Sequence, residues 1–268
     1  MSPALQLLLV TLAAAAGGAI NSIAGGGTLV TFPALIALGI PPIIANATST
    51  VALWPGAVGS LWGYRAELAG ARAWAIRFAI PSLAGGLIGA LLLLRTPADR
   101  FDAVVPWLVI GATGLFIAQG PISRWLASRR ARLTVVASGE ASSIDPGLRN
   151  PPLIFLFFQL LVGIYGGYFG AGIGILMLAS LGLMGFTNIH RMNGLKNWGG
   201  MCMNLVAAIA FAFSGVVDWP VAGAMALGAT AGGYAGSRVA QRVAQARVRT
   251  AIIVIGLASG VWLLSGRI

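Results

Sequence analysis

The chain has 268 residues, 58% of them hydrophobic and only 9% charged, where a soluble domain carries about a quarter charged. So few charges cannot clothe a water-facing surface, which excludes a soluble globular fold and leaves a polytopic membrane protein. The net charge of +11 comes from arginines in short loops between apolar runs, where cytoplasmic loops collect positive charge, and so does not point to nucleic acid.

Apolar segments fall at about 3–24, 25–38, 42–64, 73–94, 103–119, 152–169, 170–184, 187–213, 219–236 and 250–265, several of them near the ~20 residues of a bilayer-spanning helix. The first could be mistaken for a signal peptide. It has no Lys or Arg ahead of its apolar run and leads straight into more membrane sequence, so it reads as a retained first segment.

The next stretch, INSIAGGGTLVTFPALIALGIPPIIANATST (20–50), has no charge yet holds three consecutive glycines and three prolines. Non-helical backbone survives at membrane depth only inside protein or beside a water-filled cavity. The break at Gly25, Gly26 and Gly27 is therefore expected to face the interior, with Asn21 and Thr28 nearby and Asn46, Thr48, Ser49 and Thr50 following. A helix N-terminus offers free N–H donors and a partial positive charge, so such breaks suit an anion. Amide and hydroxyl donors suit an oxyanion with several acceptor oxygens. The alternative is polar glue between helices.

Residues 120–150 carry Arg124, Arg129, Arg130, Arg132 and Arg149 and the linker-like SGEASSIDPG. They are expected to form a cytoplasmic linker between a first membrane repeat (1–119) and a second (151–268). Sliding the second repeat onto the first by 147 positions puts Gly172, Gly174, Asn193 and Asn197 on Gly25, Gly27, Asn46 and Thr50. Each half then reads as a glycine-broken pair of segments followed by three ordinary spans.

Loop charges reverse between the halves. Arg65, Arg72 and Arg77 flank one loop of the first half, whereas its counterpart at 214–219 holds only Asp218; the balanced loop of Arg95, Asp99, Arg100 and Asp102 matches 237–250, with Arg238, Arg242, Arg247 and Arg249. That pattern predicts opposite membrane insertion of the two repeats. Both termini then lie outside the cytoplasm, and each broken pair is either two short spans or a re-entrant hairpin.

In the second half the break is GGYFGAGIG (166–174), followed by Asn193, Lys196 and Asn197, with Tyr168 upstream. Asn46 and Thr50, like Asn193 and Asn197, are four apart and share a helical face. Lys196 within an apolar stretch is a functional-site hypothesis, as counter-charge for an anion; the alternative is a lysine that snorkels to the interface with His190 and Arg191. His190 reads as interfacial, and Trp54 and Trp198 as packing residues. Gly85, Gly86 and Gly89, and Gly232, Gly233 and Gly236, read as small residues for close helix packing.

No apolar segment core holds an Asp or Glu, so a carboxylate proton relay is not expected. With one cysteine (Cys202), one histidine and no buried acid, no disulfide, metal site, cofactor or acid–base set is assembled, and an intramembrane enzyme is not expected. A passive anion channel stays open beside a carrier, and a carrier's solute could be an organic anion without sulfur.

The stretch AINSIAGGGTLVTFPALIALGIPPIIANATSTVALWPGAVGSLWGY resembles the N-terminal signature of the sulfite exporter TauE/SafE family, also called the toluenesulfonate uptake permease family. GIYGGYFGAGIGILMLASLGLMGFTNIHRMNGLKNW is similar to its second-half counterpart. The resemblance covers nearly the whole chain except the central linker. It implies an all-α, multi-pass bacterial inner-membrane carrier with two homologous halves, acting on small sulfur-containing anions such as sulfite, sulfoacetate or other organosulfonates. It carries over to Asn21, Gly25, Gly26, Gly27, Pro33, Asn46 and Thr48, and to Gly166, Gly167, Gly170, Gly172, Gly174, Asn193, Lys196 and Asn197. The expected partners are a small anionic substrate and membrane lipid, with a homodimer left open.

Overall fold

The computed structural model describes residues 2–23, 25–63, 68, 71–136, 150–186, 188–239 and 245–265. These form ten helices: α1 (Pro3–Ile23), α2 (Thr28–Ala37), α3 (Pro42–Gly63), α4 (Arg72–Arg95), α5 (Ala98–Val136), α6 (Leu153–Tyr168), α7 (Ile173–Leu183), α8 (Ile189–Ser214), α9 (Trp219–Val239) and α10 (Gln245–Leu264). The described residues contain no strand. Several charges that set the expected orientation, Arg65, Glu67, Glu140, Asp145, Arg149 and Arg242, lie outside them.

Residues 3–22, 72–95, 98–122 and 189–214 are long and apolar enough to cross a bilayer. The apolar runs form helices because lipid offers no partner for a free backbone N–H or C=O. Helix α2 has 10 residues and α7 has 11, a rise of about 15 Å, half the ~30 Å hydrocarbon core. Neither can cross alone. Each starts directly after its glycine break, so the glycines set the length of these half-helices.

Helix α5 differs from expectation at its C-terminal end. It continues to Val136, into the segment expected to be linker, because SRWLASRRARL is rich in the helix formers Ala, Leu and Arg.

Large apolar side chains occupy both faces of the protein. Phe32, Phe78, Phe101, Phe116 and Phe211 are fully buried, while Ile80, Trp107, Leu153, Phe213 and Leu227 lie on the outside. An apolar exterior of this kind suits lipid as solvent.

The helices pack mainly across the two halves. Helix α1 lies along α9, and its counterpart α6 lies along α4; α3 packs on α9 and α8 on α4, while α3 and α8 meet each other. Glycines make these approaches close. A Cβ at Gly86 would meet the carbonyl oxygen of Met203, and a Cβ at Gly233 would stand 3.0 Å from that of Gly56. Gly233 and Met203 each lie 147 positions beyond Gly86 and Gly56, so the same register relates the two contacts. Small residues that bring backbones together are what membrane helix interfaces favour, and the packing role expected of these glycines is the one they have.

Candidate functional site

The two glycine breaks touch. Gly25 has φ 80°, a left-handed conformation that glycine adopts at little cost, and its N–H donates to the Asn21 carbonyl oxygen at 3.1 Å, closing the end of α1. A Cβ there would stand 3.3 Å from Gly174 Cα and 3.8 Å from Lys196 Nζ. The end of α1, the first turn of α7 and the side chain of α8's lysine therefore meet at one point.

A cavity of about 40 Å³ opens beside that point, room for about three water-sized occupants. Asn21 of α1, Ala57 of α3 and Ile173, Gly174 and Met177 of α7 form part of its wall. Lys196, Asn197, Gly200, Met201 and Asn204 form the rest; their spacing puts them on one face of α8.

Lys196 is 2% exposed, and its Nζ has no hydrogen-bond partner in the protein; neither do Asn193 Oδ1 and Asn197 Nδ2. Buried polar atoms are nearly always bonded. Three that are not, within two turns of one helix, form a set of groups left over by the fold itself. In the first turn of α7 the Ile175 N–H donates to the Gly172 carbonyl oxygen at 3.0 Å, while Ile173 and Gly174, at the positive dipole end of the helix, form part of the cavity wall. The ammonium, the Asn197 amide nitrogen and a helix N-terminus are donors of the kind that suits an oxyanion, whereas Asn193 Oδ1 is an acceptor and does not line the cavity.

The polar cluster of the first half is engaged differently. Asn46 Nδ2 donates to the Tyr168 carbonyl oxygen at 2.9 Å, leaving its own Oδ1 unpartnered. Thr48 Oγ1 accepts from the Asp218 N–H at 3.0 Å. Ser49 and Thr31 hydroxyls bond at 2.6 Å, and Thr50 Oγ1 donates to the Asn46 carbonyl oxygen at 2.9 Å. Thr48 and Asn46 thus tie α3 to the second half, and none of the four lines the cavity. Their residue type suggests donors for an anion; Asn46, Thr48 and Ser49 bond to neighbouring elements, and Thr50 bonds back within α3.

The remaining expected residues are placed as follows. Gly26 packs on the Phe116 ring and Gly27 on the Gly17 carbonyl oxygen, each with no room for a Cβ. Gly172 caps α7 from a positive φ and lies against Leu115 and Ala112. Thr28 opens α2. Tyr168 packs edge-on to Phe101 at 5.8 Å between centroids, with its hydroxyl 3.4 Å from Thr96 Oγ1. His190 is exposed at the start of α8, and Trp198 Nε1 donates to the Ala75 carbonyl oxygen at 2.8 Å, tying α8 to α4.

Asn204, Met201, Gly200, Met177 and Ala57 were not singled out from the sequence. Asn204 had a signal, standing eight residues, close to two turns, beyond Lys196. A second buried polar group was also missed: Gln159, fully buried, donates to Ser82 Oγ at 2.9 Å and to Met177 Sδ at 3.6 Å. A lone glutamine in the apolar run of α6 was its only mark.

Comparison with known proteins gives a consistent picture. Residues 10–263 match the family described as Sulfite exporter TauE/SafE. A probable membrane transporter protein, ORF9, of Sinorhizobium sp is 30% identical over 263 residues, covering 97% of this chain and 92% of the relative. A probable membrane transporter protein of Haemophilus influenzae is 28% identical, covering 88% and 86%. The probable membrane transporter protein YfcA of Escherichia coli is 29% identical, covering 95% and 88%. No solved structure matches the chain.

Proposed function

The chain belongs to the sulfite exporter TauE/SafE family, and from that premise we propose that this membrane transporter carries a small sulfur-containing oxyanion, sulfite or a short organosulfonate, through the cavity beside Lys196. The observation that carries the reading is the meeting of Gly25, Gly174 and the unpartnered Lys196 amine around one small cavity. Lys196 supplies the counter-charge. Asn21, Asn197 and Asn204 supply amides, and the first turn of α7 supplies backbone donors. The size of the cavity favours a solute of a few non-hydrogen atoms.

Transport proceeds by alternating access between two oppositely inserted repeats in a bacterial inner membrane. The exchanged packing of α1 on α9 and α6 on α4 supports this, as does the shared register of the Gly86–Met203 and Gly233–Gly56 contacts. Broken half-helices whose N-termini point at an anionic group are a recurrent way to build such a site.

The test is a thermal-shift screen of the purified protein against sulfite, sulfoacetate, taurine, sulfate and carboxylate analogues, repeated on Lys196→Ala. An anion that stabilises the wild type and not the variant supports the site; an equal response from both rejects it. In proteoliposomes the same anion on the far side accelerates uptake by a carrier, whereas a passive channel shows no such counterflow.

A further inference from the structure

We propose that Lys196 is also the coupling group: its amine takes up one proton together with the anion, and the site reorients without an anion only when the amine is neutral. The proposal rests on the reading of the cavity as the anion site and adds an energy source to it.

Lys196 is the only lysine in the chain, and its Nζ is buried without a partner beside the N-terminal turn of α7. An isolated ammonium in a protein interior costs several kcal/mol even after relaxation, unless a counter-charge sits beside it. The dipole of α7 presents further positive charge to the same cavity and raises that cost.

Among the described residues of the helices around it, no side chain can offset it. Helices α1, α3 and α7 have no titratable side chain. Helix α4 contributes only Arg72, Arg77 and Arg95, and α6 only Tyr165 and Tyr168. On α8 itself are His190, Arg191 and Cys202, and none of these groups lines the cavity. No carboxylate is present on any of the six helices. The site therefore has two low-energy occupancies, ammonium with anion and amine without.

The balance is simple. On the acidic side a proton adds to the Nζ lone pair and the anion settles beside it; on the alkaline side the anion leaves and the N–H bond gives its proton back to water. One proton and one monoanion move together, and no net charge crosses. Uptake then follows the proton gradient, with accumulation rising about tenfold per unit of pH difference, and is indifferent to an imposed membrane potential.

A guanidinium keeps its proton in proteins. Lys196→Arg therefore retains the charged, anion-loaded limb and loses the neutral return. The test uses proteoliposomes of the full chain with methanesulfonate, a fixed monoanion near neutral pH, and sulfite alongside. The expected result is wild-type accumulation driven by an acid-outside gradient and unmoved by a potassium-valinomycin potential. In Lys196→Arg net uptake should fall at least about tenfold further than anion-for-anion exchange does.

Wild-type counterflow that persists while accumulation ignores the pH gradient would overturn the coupling role and leave the anion site standing. Absence of counterflow for both anions overturns the site and this proposal together. Should Lys196→Arg fail to fold, the wild-type gradient and potential measurements decide alone.

Discussion

Replacing Gly25 by alanine separates backbone strain from occlusion of the cavity. Gly25 and Gly39 have nearly the same backbone, φ 80° and 83°, and an L-residue in that conformation costs about 1–2 kcal/mol. A Cβ at Gly39 meets nothing within 4 Å, so Gly39→Ala should show that cost and nothing else. A Cβ at Gly25 lies 3.3 Å from Gly174 Cα and 3.8 Å from Lys196 Nζ, close contact that needs a shift of no more than a few tenths of an ångström. The two variants should therefore melt at similar temperatures in detergent. Their anion binding should differ. The methyl at Gly25 is close in size to one of the roughly three water-sized occupants the cavity admits, and it stands against the amine. Affinity read from thermal shift as a function of sulfite concentration should fall by at least about tenfold, about 1.4 kcal/mol, in Gly25→Ala and stay unchanged in Gly39→Ala. Equal affinity in both would show that the first break is not part of the site.

Other substitutions test the packing and the division of labour among the polar residues. Gly86→Ala puts a Cβ onto the Met203 backbone, where no side chain can swing away; it should cost about 1–3 kcal/mol, seen as a lower melting temperature, whereas Gly111→Ala, which meets nothing within 4 Å, should be neutral or stabilising by up to about 1 kcal/mol. Thr48→Val removes the acceptor for the Asp218 N–H and should cost about 0.6 kcal/mol, at most about 1.7, while anion affinity measured in the same thermal-shift titration stays at the wild-type value. Asn204→Leu removes an amide from the cavity wall and should weaken the anion by about 0.5–1.5 kcal/mol; a variant that binds as tightly as wild type would remove Asn204 from the site.

The membrane helices were legible because apolar runs in lipid have no choice but to close their own hydrogen bonds. The breaks were legible because three adjacent glycines cannot sustain a helix at depth. Lys196 and Asn197 stood out as a charge and an amide within a greasy segment. Residue type alone could not separate Asn197, whose amide nitrogen is left without a partner, from Thr48 and Ser49, whose hydroxyls bond to other helices. That distinction depends on which helix lies opposite, and α3's principal neighbours, α9 and α8, come from the far half of the chain. Asn204 and Met177 were missed for the same reason. The end of α5 is hidden because the arginines after Gly120 carry both the charge of a cytoplasmic loop and the propensity of a helix.

The pairing of α1 with α9 has a consequence for how the protein is made. The flank that α1 presents to Gly228 and Gly232, with Thr11 Oγ1 donating to the Ala224 carbonyl oxygen, leaves the ribosome well ahead of its mate. Until then α1 must sit against lipid with its backbone seam unzipped, so closure of this joint waits for α9. A ribosome that stalls before residue 219 would release a product in which α1 lacks its mate, an orphan for membrane quality control to recognise.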